Sequence, residues 1–359
     1  MIKHLYIHVP FCKTICSYCD FCHRIYDEKN ADLYLKRIEE EFKECKDEQY
    51  STIYIGGGTP SSLTSSQLDK LLSFTDAHLK EIEEFTVEVN PESINEEKID
   101  ILVKHKVNRI SMGLQSSNED ELKLMNRHHS FLDVKEKVAL FKQKGINNIS
   151  IDIIYSLPNQ TMSSLKKTID DALSLDVPHI SLYSLTIEEN SVFGKKGYQT
   201  CNEDIEADMY EYIVSTLENN GYRQYEIANF AKTDFRSKHN LGYWHYDDYR
   251  SLGPGSTSKI DHQRIEKTRN IKAYLDSVKL IDNIDVLTNE DEAFENIMMS
   301  LRLEEGLNLK TFYKRYGFNP LEYYKEVLNK HKNDFIIKND FLICTKREIL
   351  NTILVDFLL

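Results

Sequence analysis

No stretch of this sequence supplies the ~18 consecutive apolar residues of a membrane-spanning helix, and no signal-peptide-like hydrophobic region follows its first residues. We therefore expect a cytoplasmic protein. An excess of basic residues is also lacking, because 58 Asp and Glu outnumber 45 Lys and Arg and the net charge is −13. That charge repels nucleic-acid phosphates and anionic lipid surfaces, so neither is expected to be the main partner.

The seven cysteines of this 359-residue chain do not indicate a disulfide framework. Cys45 falls on an apolar stripe with helical spacing and is expected in the core. Cys201 and Cys344 have no cysteine neighbours and are expected to be passive. The others lie close together in the sequence, at Cys12, Cys16, Cys19 and Cys22.

Short runs rich in Ile, Val and Tyr alternate with longer amphipathic stretches in the first part of the chain. Two of those stretches begin with capping-box-like pairs, Thr64 with Gln67 and Ser130 with Asp133. Strands that alternate with helices predict parallel pairing through right-handed crossovers. We therefore predict an α/β fold, a partial (β/α)6 barrel with ligands at the carboxyl ends of its strands. The predicted strands are His4–Val9, Thr52–Ile55, Phe85–Val89, Arg109–Leu114, Ile149–Ile154 and Ile180–Leu185.

The alternation stops near residue 235, which divides the chain into three predicted parts. Residues 1–235 form the barrel, residues 236–287 an irregular connecting segment, and residues 288–359 a smaller helical domain. Two short strands near 335–337 and 341–344 give the last part a winged-helix-like pattern. Its 10 Lys and Arg against 12 Asp and Glu provide no basic face, so we predict a packing or partner module.

Cys12, Cys16 and Cys19 follow the first predicted strand with the spacing Cys-x3-Cys-x2-Cys. Three thiolates at this spacing can hold one [4Fe–4S] cluster and leave its fourth iron without a protein ligand. The amino and carboxylate groups of S-adenosylmethionine can chelate that iron, and the reduced cluster can then release a 5′-deoxyadenosyl radical. The alternative is a structural zinc site. The cluster is favoured, because zinc ligands usually form two separated pairs and no second cysteine pair follows downstream.

A series of motifs extends this pattern over nearly the whole chain. It comprises Tyr6-Ile7-His8-Val9-Pro10-Phe11-Cys12, Ile15-Cys16-Ser17-Tyr18-Cys19-Asp20-Phe21, Gly56-Gly57-Gly58-Thr59-Pro60, Glu88-Val89-Asn90-Pro91, Ser111-Met112-Gly113-Leu114-Gln115-Ser116, Arg127-His128-His129, Asp152-Ile153-Ile154-Tyr155-Ser156-Leu157-Pro158 and Leu301-Arg302-Leu303. In this order the motifs resemble the HemN/HemW family of radical-SAM proteins, which contains oxygen-independent coproporphyrinogen III oxidases and heme chaperones. One departure is Asn126, where the family usually has Gly before the Arg.

The resemblance implies a set of residues that contact S-adenosylmethionine. Glycines at a strand end allow a ligand to approach the backbone, a planar guanidinium suits a carboxylate, and acidic side chains suit hydroxyls or amines. The glycines could instead form only a tight turn, and each of the polar side chains could make an ordinary hydrogen bond at a strand end. The implied set is Tyr6, Gly57, Gly58, Thr59, Glu88, Gln115, Arg127 and Asp152.

Two features separate the branches of the family. The oxidases carry a fourth cysteine two residues after the third, where this chain has Phe21, as in the chaperone branch. Cys22 comes one residue late and could be a bystander, a heme contact or a spare ligand, of which the bystander is favoured. His239-Asn240-x-x-Tyr243-Trp244 resembles the HNxxYW signature of that branch. The resemblance implies that His239 contacts heme, with His129 as a second candidate, although either could be a structural histidine bonded to backbone.

We therefore expect a heme chaperone that binds a cluster, S-adenosylmethionine and heme, and passes heme to an acceptor protein of unknown identity. A transient contact with a membrane protein is left open. The alternative is radical decarboxylation of coproporphyrinogen III. A third possibility, an interaction protein with a vestigial cluster, is disfavoured by the nearly complete set of cofactor motifs.

Overall fold

The computed structural model describes residues 2–358, apart from the side chain of Glu348. Met1 and Leu359, the outer ends of the predicted first and last domains, lie outside the described residues. Within the described range, no helix is long and apolar enough to cross a membrane.

All six predicted strands are present, each within two residues of its expected ends. The strands of the first half, in chain order, are β1 (His4–Val9), β2 (Phe11–Cys12), β3 (Arg24–Ile25), β4 (Thr52–Gly57), β5 (Glu84–Val89), β6 (Arg109–Gln115), β7 (Asn148–Tyr155) and β8 (His179–Ser184). Parallel pairing joins neighbours in the order β1-β4-β5-β6-β7-β8. The predicted α/β partial barrel is confirmed.

Helices pack against one face of these strands and leave the other face to line the interior. In β1, Leu5, Ile7 and Val9 belong to the main hydrophobic core, whereas Tyr6 and His8 face an internal cavity. This alternation follows from the two-residue period of a strand. The helices of this part are α1 (Glu28–Glu44), α2 (Ser65–Ser73), α3 (Glu96–Lys104), α4 (Glu119–Leu124), α5 (Phe131–Gln143), α6 (Met162–Ser174), α7 (Val192–Lys195) and α8 (Glu203–Asn219).

The sequence signals for two helix starts are borne out in the hydrogen bonding. Thr64 with Gln67, and Ser130 with Asp133, form complete capping boxes at the starts of α2 and α5. Each box satisfies backbone N–H groups that a helix start leaves without partners. Cys45 is buried in the main core, as its place on the apolar stripe of α1 predicts.

The prediction of an irregular segment over residues 236–287 is wrong. Most of it is ordered and extends the sheet, with β11 parallel to β1 on the side opposite β4 and the later strands added antiparallel. The chain from 223 to 287 forms β9 (Arg223–Gln224), β10 (Asn229–Ala231), α9 (Lys238–Trp244), β11 (Tyr249–Leu252), β12 (Thr257–Ile260), β13 (Gln263–Lys267), α10 (Ile271–Leu275) and β14 (Ile281–Val286).

A contact with a distant residue explains why the sequence pattern does not predict α9. The helix is short and contains Gly242 and aromatic residues, which have low helix propensity. Its start is held by the buried carboxylate of Glu84 on β5, which accepts from the backbone N–H groups of Lys238 and His239 and from the Ser237 hydroxyl. A negative charge at a helix N-terminus is stabilising, and this one comes from a residue far away in the sequence.

The C-terminal part has a hydrophobic core of its own, formed by helices and a small sheet. Its predicted hairpin is present, and Asn339 and Asp340 adopt the left-handed backbone of a tight two-residue turn. A third short strand completes the sheet. The elements are α11 (Asn289–Ser300), β15 (Leu307–Asn308), α12 (Leu309–Tyr316), α13 (Pro320–Tyr323), α14 (Lys325–Lys330), β16 (Phe335–Lys338), β17 (Phe341–Cys344) and α15 (Leu350–Val355). The boundaries of the three predicted parts stay a prediction.

The packing of β6 predicts a stability difference between two isoleucines. Ile110 is fully buried, so Ile110→Ala should lower the free energy of unfolding by about 2–5 kcal/mol through lost burial and a cavity. Ile284 on β14 is 48% exposed, and Ile284→Ala should change it by no more than about 0.5 kcal/mol. Urea unfolding followed by circular dichroism measures both. Equal losses would contradict the assignment of β6 to the core.

Candidate functional site

The cysteine loop follows β1 and brings three thiols to the carboxyl ends of the strands. The Thr59 hydroxyl lies 3.7 Å from Cys12 Sγ, and Arg127 Nη1 lies 3.6 Å from Cys16 Sγ, both as hydrogen-bond donors. Cys12, Cys16 and Cys19 all line one cavity of about 650 Å³, which we call the cysteine cavity. The loop is thus attached to the rest of the barrel through the sulfur atoms themselves.

Burial keeps the thiols of Cys12 and Cys19 protonated in the absence of a cation. It raises the pKa of Cys12 to about 12 and that of Cys19 to about 11, and the neighbouring Cys16 adds to both shifts. A bound metal displaces thiol protons, so this donor set fits a cationic centre rather than free thiolates. Among residues 2–358, no three His, Cys, Asp or Glu side chains stand close enough to hold a single metal ion.

The cysteine cavity also contains most of the residues predicted to contact S-adenosylmethionine. Most of them come from the carboxyl-terminal halves of successive parallel strands or the loops that follow, which meet at one edge of a barrel, whereas Arg127 lies in the loop after α4. Tyr6 is the exception, since it faces a second cavity described below. The seven that line the cysteine cavity are Gly57, Gly58, Thr59, Glu88, Gln115, Arg127 and Asp152.

Glu88 is a half-buried acid that accepts two hydrogen bonds. The Tyr54 hydroxyl donates to its Oε1 at 2.7 Å and the Gly57 N–H to its Oε2 at 3.1 Å. Burial nevertheless dominates and raises the pKa of Glu88 to about 7, with the nearby Asp152 adding to the shift. Burial also raises the pKa of Asp152, although the Ser111 hydroxyl donates to its carboxylate. Two acids therefore share one face of the cavity.

Arg127 is held by three different elements of the barrel. Besides its contact with Cys16, its Nη2 donates to Asn90 Oδ1 at 2.8 Å and to the Gly113 carbonyl at 3.0 Å. Its Nε is buried and has no hydrogen-bond partner within the described residues. An unpaired donor of this kind is costly unless a ligand satisfies it. Arg127 therefore combines a fixed position with spare capacity for an anionic ligand.

Asn126 departs from the family pattern without disturbing this arrangement. Its backbone is left-handed, with φ of 60°, a conformation that Gly and Asn adopt more readily than other residues. Its side-chain amide donates to the Ile15 carbonyl in the cysteine loop at 2.8 Å. Asn126 thus adopts the left-handed backbone conformation that Gly would also allow. Its side-chain hydrogen bond also links the residue before Arg127 to the cysteine loop.

Two glycines of the cavity are required by neighbouring side chains. Gly57 has φ of 110°, and a Cβ there would lie 2.5–2.8 Å from the His8 ring. A Cβ on Gly113 would lie 2.5 Å from Gln115 Nε2 and 3.1 Å from Arg127 Nη2. Both glycines therefore let polar side chains of the site occupy space that any larger residue would fill.

A second cavity, of about 830 Å³, is lined on one side by Tyr6 and His8 of β1. Aromatic side chains dominate its wall, so we call it the aromatic cavity; two methionines of α11, Met298 and Met299, close it from the C-terminal part. It also contains three cations and several carboxylates. The aromatic residues are Tyr6, Phe21, Tyr54, Tyr183, Tyr243, Trp244, Tyr246 and Tyr249.

The two cavities adjoin, because one set of residues lines both. Glu88 and Tyr54 stand at this boundary, and Phe21, at the position of the oxidases' fourth cysteine, is 68% exposed there. Arg269 donates to the Asp20 carbonyl at 2.7 Å, and its guanidinium forms no salt bridge within the described range. The shared residues are Phe21, Tyr54, Gly57, Glu88, Tyr183 and Arg269.

The predicted heme contact, His239, is among the residues that line the aromatic cavity, although its side chain has no exposed surface. Both ring nitrogens are engaged: Nδ1 with the Thr52 hydroxyl and Nε2 with the Tyr243 hydroxyl, each at 2.8 Å. Burial lowers the pKa of His239 and raises that of Tyr243, so both groups are neutral. The motif therefore joins its histidine and its tyrosine, one helical turn apart, into one unit.

Two candidates from the sequence remain, His129 and Cys22, and neither lines the cysteine cavity. His129 is buried, bonds to the Leu114 carbonyl at 3.0 Å and lines neither cavity. Cys22 faces the aromatic cavity rather than the cysteine cavity, and its thiol contacts the Arg269 carbonyl. Cys22 thus lies apart from the other three cysteines, and its role as a bystander or a heme contact stays a prediction.

Several residues of the site are missed by the sequence reasoning. Asn90 sits inside a quoted motif and follows a strand end, which is a usable signal. Thr52 and His4 lie at the amino ends of their strands, away from the carboxyl ends where ligands are expected. Arg269 lies in the segment predicted to be irregular. No sequence pattern therefore marks these three residues.

Comparisons with known proteins agree with this geometry. Residues 6–172 match the model of the Radical SAM superfamily, and residues 287–350 match the model of the HemN C-terminal domain. Coproporphyrinogen III oxidase (HemN) from Escherichia coli has the same fold, with a TM-score of 0.87 and 20% identity over 99% of this chain and 90% of that chain. Fold and site together define a radical-SAM protein with a HemN-type C-terminal domain.

Sequence relatives narrow that class. The heme chaperone HemW of Lactococcus lactis is 37% identical over 93% of this chain and 90% of its own length. The heme chaperone HemW of Bacillus subtilis is also 37% identical, over 88% of this chain and 87% of its own. The chain belongs to the HemW family of radical-SAM proteins.

The environment of Glu88 predicts a carboxyl group that titrates near pH 7. Because the folded protein holds this proton more tightly than the unfolded chain, the carboxyl lowers the stability of the fold as pH rises from about 4.5 to about 7. Infrared difference spectra across this range should include a band from the Glu88 carboxyl as it deprotonates in the ligand-free protein. Glu88→Gln should remove the signal and Glu97→Gln on α3 should retain it. A signal that survives Glu88→Gln would refute the assignment.

Proposed function

We propose that this chain is a heme chaperone that holds a [4Fe–4S] cluster on Cys12, Cys16 and Cys19 and binds S-adenosylmethionine and heme in adjoining cavities. The single observation that carries the proposal is the shared wall: a cavity with three thiols adjoins a larger aromatic one. Its relatives are named heme chaperones. The protein is expected to pass heme to an acceptor protein, and contact with a membrane-bound acceptor and a cytoplasmic location stay predictions.

The cysteine cavity fits the cluster and S-adenosylmethionine through its donors. When bound, these groups supply one-electron chemistry. Arg127, whose Nε has no hydrogen-bond partner within the described residues, would bind the carboxylate of the methionine moiety. Glu88 and Asp152 are acceptors for the ammonium group or the ribose hydroxyls, and Gly57, Gly58, Thr59 and Gln115 complete the wall. Tyr6 lines the aromatic cavity rather than the cysteine cavity, so it would contact S-adenosylmethionine from there.

The aromatic cavity fits a heme by size and by chemistry. Its volume of about 830 Å³ lies within the range of about 300–1,000 Å³ that is usual for small-molecule sites. Aromatic rings and thioethers suit the faces of a macrocycle. Arg269, which has no salt bridge within residues 2–358, and Arg264, 2.6 Å from Glu295, can face the propionates at its rim.

The adjoining cavities also favour a second candidate function. A tetrapyrrole bound at the shared wall would lie beside the cysteine cavity, as hydrogen abstraction from coproporphyrinogen III requires. The position of Phe21 speaks against it, since a bulky apolar side chain stands at the boundary where the oxidases have a cysteine. We therefore rank the oxidase below the chaperone.

The cluster assignment predicts unequal effects of cysteine substitutions. After anaerobic reconstitution with iron and sulfide, the native protein should show the broad absorbance of a [4Fe–4S] cluster, and Cys12→Ser, Cys16→Ser and Cys19→Ser should each lose it. Cys22→Ser and Cys45→Ser should keep it, because neither thiol lines the cysteine cavity. Zinc binding in place of iron, or loss of the cluster in Cys22→Ser with a normal circular dichroism spectrum, would contradict the assignment.

The heme assignment predicts saturable binding without porphyrinogen turnover. Titration of the purified protein with hemin should shift the Soret band and saturate at one equivalent. The reconstituted protein with S-adenosylmethionine and a reductant should form no protoporphyrinogen IX from coproporphyrinogen III. Appearance of that product would support the oxidase instead, and an unchanged Soret band would remove heme from the account.

A further inference from the structure

A continuous hydrogen-bond chain runs from the aromatic cavity to the far end of β1. Its first link joins the Tyr243 hydroxyl to His239 Nε2, and its second joins His239 Nδ1 to the Thr52 hydroxyl, both at 2.8 Å. The third joins the same hydroxyl to His4 Nδ1, again at 2.8 Å. His4 Nε2 then faces the Asp247 carboxylate at 3.6 Å. The hydrogen bonds thus connect one phenol at the cavity wall to two imidazoles, and His4 Nε2 faces the carboxylate without a hydrogen bond within the described residues.

Neighbouring residues hold every member of this chain in place. Gly242 has no side chain because a Cβ there would lie 2.5–2.8 Å from the His4 ring. The Tyr243 ring packs edge-on against His239 and Tyr249, with centroids 4.9 and 4.6 Å apart. The rings leave little freedom for the His239 imidazole to rotate.

This arrangement distinguishes the two groups of α9 that could bind iron. Both residues border the aromatic cavity, but the His239 ring has no exposed surface, and binding through Nε2 would require it to give up its bond to Tyr243. The Tyr243 side chain is half-buried at the cavity wall, and its oxygen keeps a lone pair beyond the bond to His239. Tyrosine is an established type of axial ligand to heme iron.

From this geometry we infer that Tyr243, not His239, supplies the axial ligand to ferric heme, and that His239, Thr52 and His4 position it. The inference rests on the proposed heme site. A neutral histidine bonded to a ligand oxygen fixes the orientation of that ligand and tunes its basicity, as outer partners do at metal sites generally.

The proton of the phenol has a defined destination when the iron–oxygen bond forms. In one consistent arrangement of hydrogens, Tyr243 donates to His239 Nε2, His239 Nδ1–H donates to Thr52, and Thr52 donates to His4 Nδ1. On binding, each proton moves one place along the chain. The phenolate then accepts from His239 Nε2–H, His239 remains neutral, and His4 carries the additional proton opposite Asp247. No proton has to leave the protein.

Resonance Raman spectra of the hemin-loaded full-length protein test the inference. Excitation in a phenolate-to-iron charge-transfer band should enhance phenolate ring modes, and these should shift when the protein is labelled with ring-deuterated tyrosine. Tyr243→Phe should lose the modes and bind hemin more weakly. His239→Ala should keep them at shifted frequencies, with hemin affinity reduced about 10- to 100-fold. Tyr222→Phe, which removes a buried phenol bonded to the Val177 carbonyl outside both cavities, should leave the spectrum unchanged.

Contrary results are distinct from failure of the heme proposal. If the native protein binds no hemin, the proposed function fails and the inference falls with it. If hemin binds but the phenolate modes are absent, or survive in Tyr243→Phe, only the inference is overturned. Should Tyr243→Phe fail to fold, pulsed electron paramagnetic resonance of the native hemin complex labelled with 15N-histidine decides. We expect no nitrogen coupling of a directly bound histidine, and finding one would overturn the assignment.

Discussion

The two cavities exist side by side because β1 pairs in parallel on both of its edges. Its register places His4 beside Thr52 of β4 on one edge and beside Tyr249 of β11 on the other. At its carboxyl end the chain leaves directly into the cysteine loop. The β11 pairing adds to the Glu84 and Thr52 contacts that fix α9 against the barrel. The position of one strand therefore determines both the thiol site and the aromatic site.

This arrangement buries polar groups, which is unfavourable unless they are hydrogen-bonded. The buried groups of the site form hydrogen bonds that hold its parts together. Glu84 holds the start of α9, Thr52 links two histidines, and Glu88 joins Tyr54 to the glycine strand end. Each interaction ties a residue of the barrel to a wall of a cavity. Buried polar groups satisfied in this way fix one geometry, whereas apolar packing alone would tolerate several.

The sequence reveals those parts of the molecule that depend on local patterns. Alternating strands, capping boxes, the cysteine spacing and the tight turn at Asn339 all arise within a few residues of the chain, and the structure contains each of them. The helix at Lys238–Trp244 and the strands after it form because Glu84 and β1, distant in sequence, pair with them. No local pattern could reveal the partners of His239 for the same reason. The motif identifies the segment, whereas the fold determines which of its side chains faces a ligand.

The central claim is that heme occupies the aromatic cavity, and Trp244 offers a direct measurement because it is the chain's only tryptophan and lines that cavity. Heme in contact with this wall quenches tryptophan emission by energy transfer. The fluorescence lifetime of Trp244 should fall to a small fraction of its value at one equivalent of hemin. A lifetime that remains largely unchanged when the Soret band shows saturation would place the heme elsewhere and contradict the account.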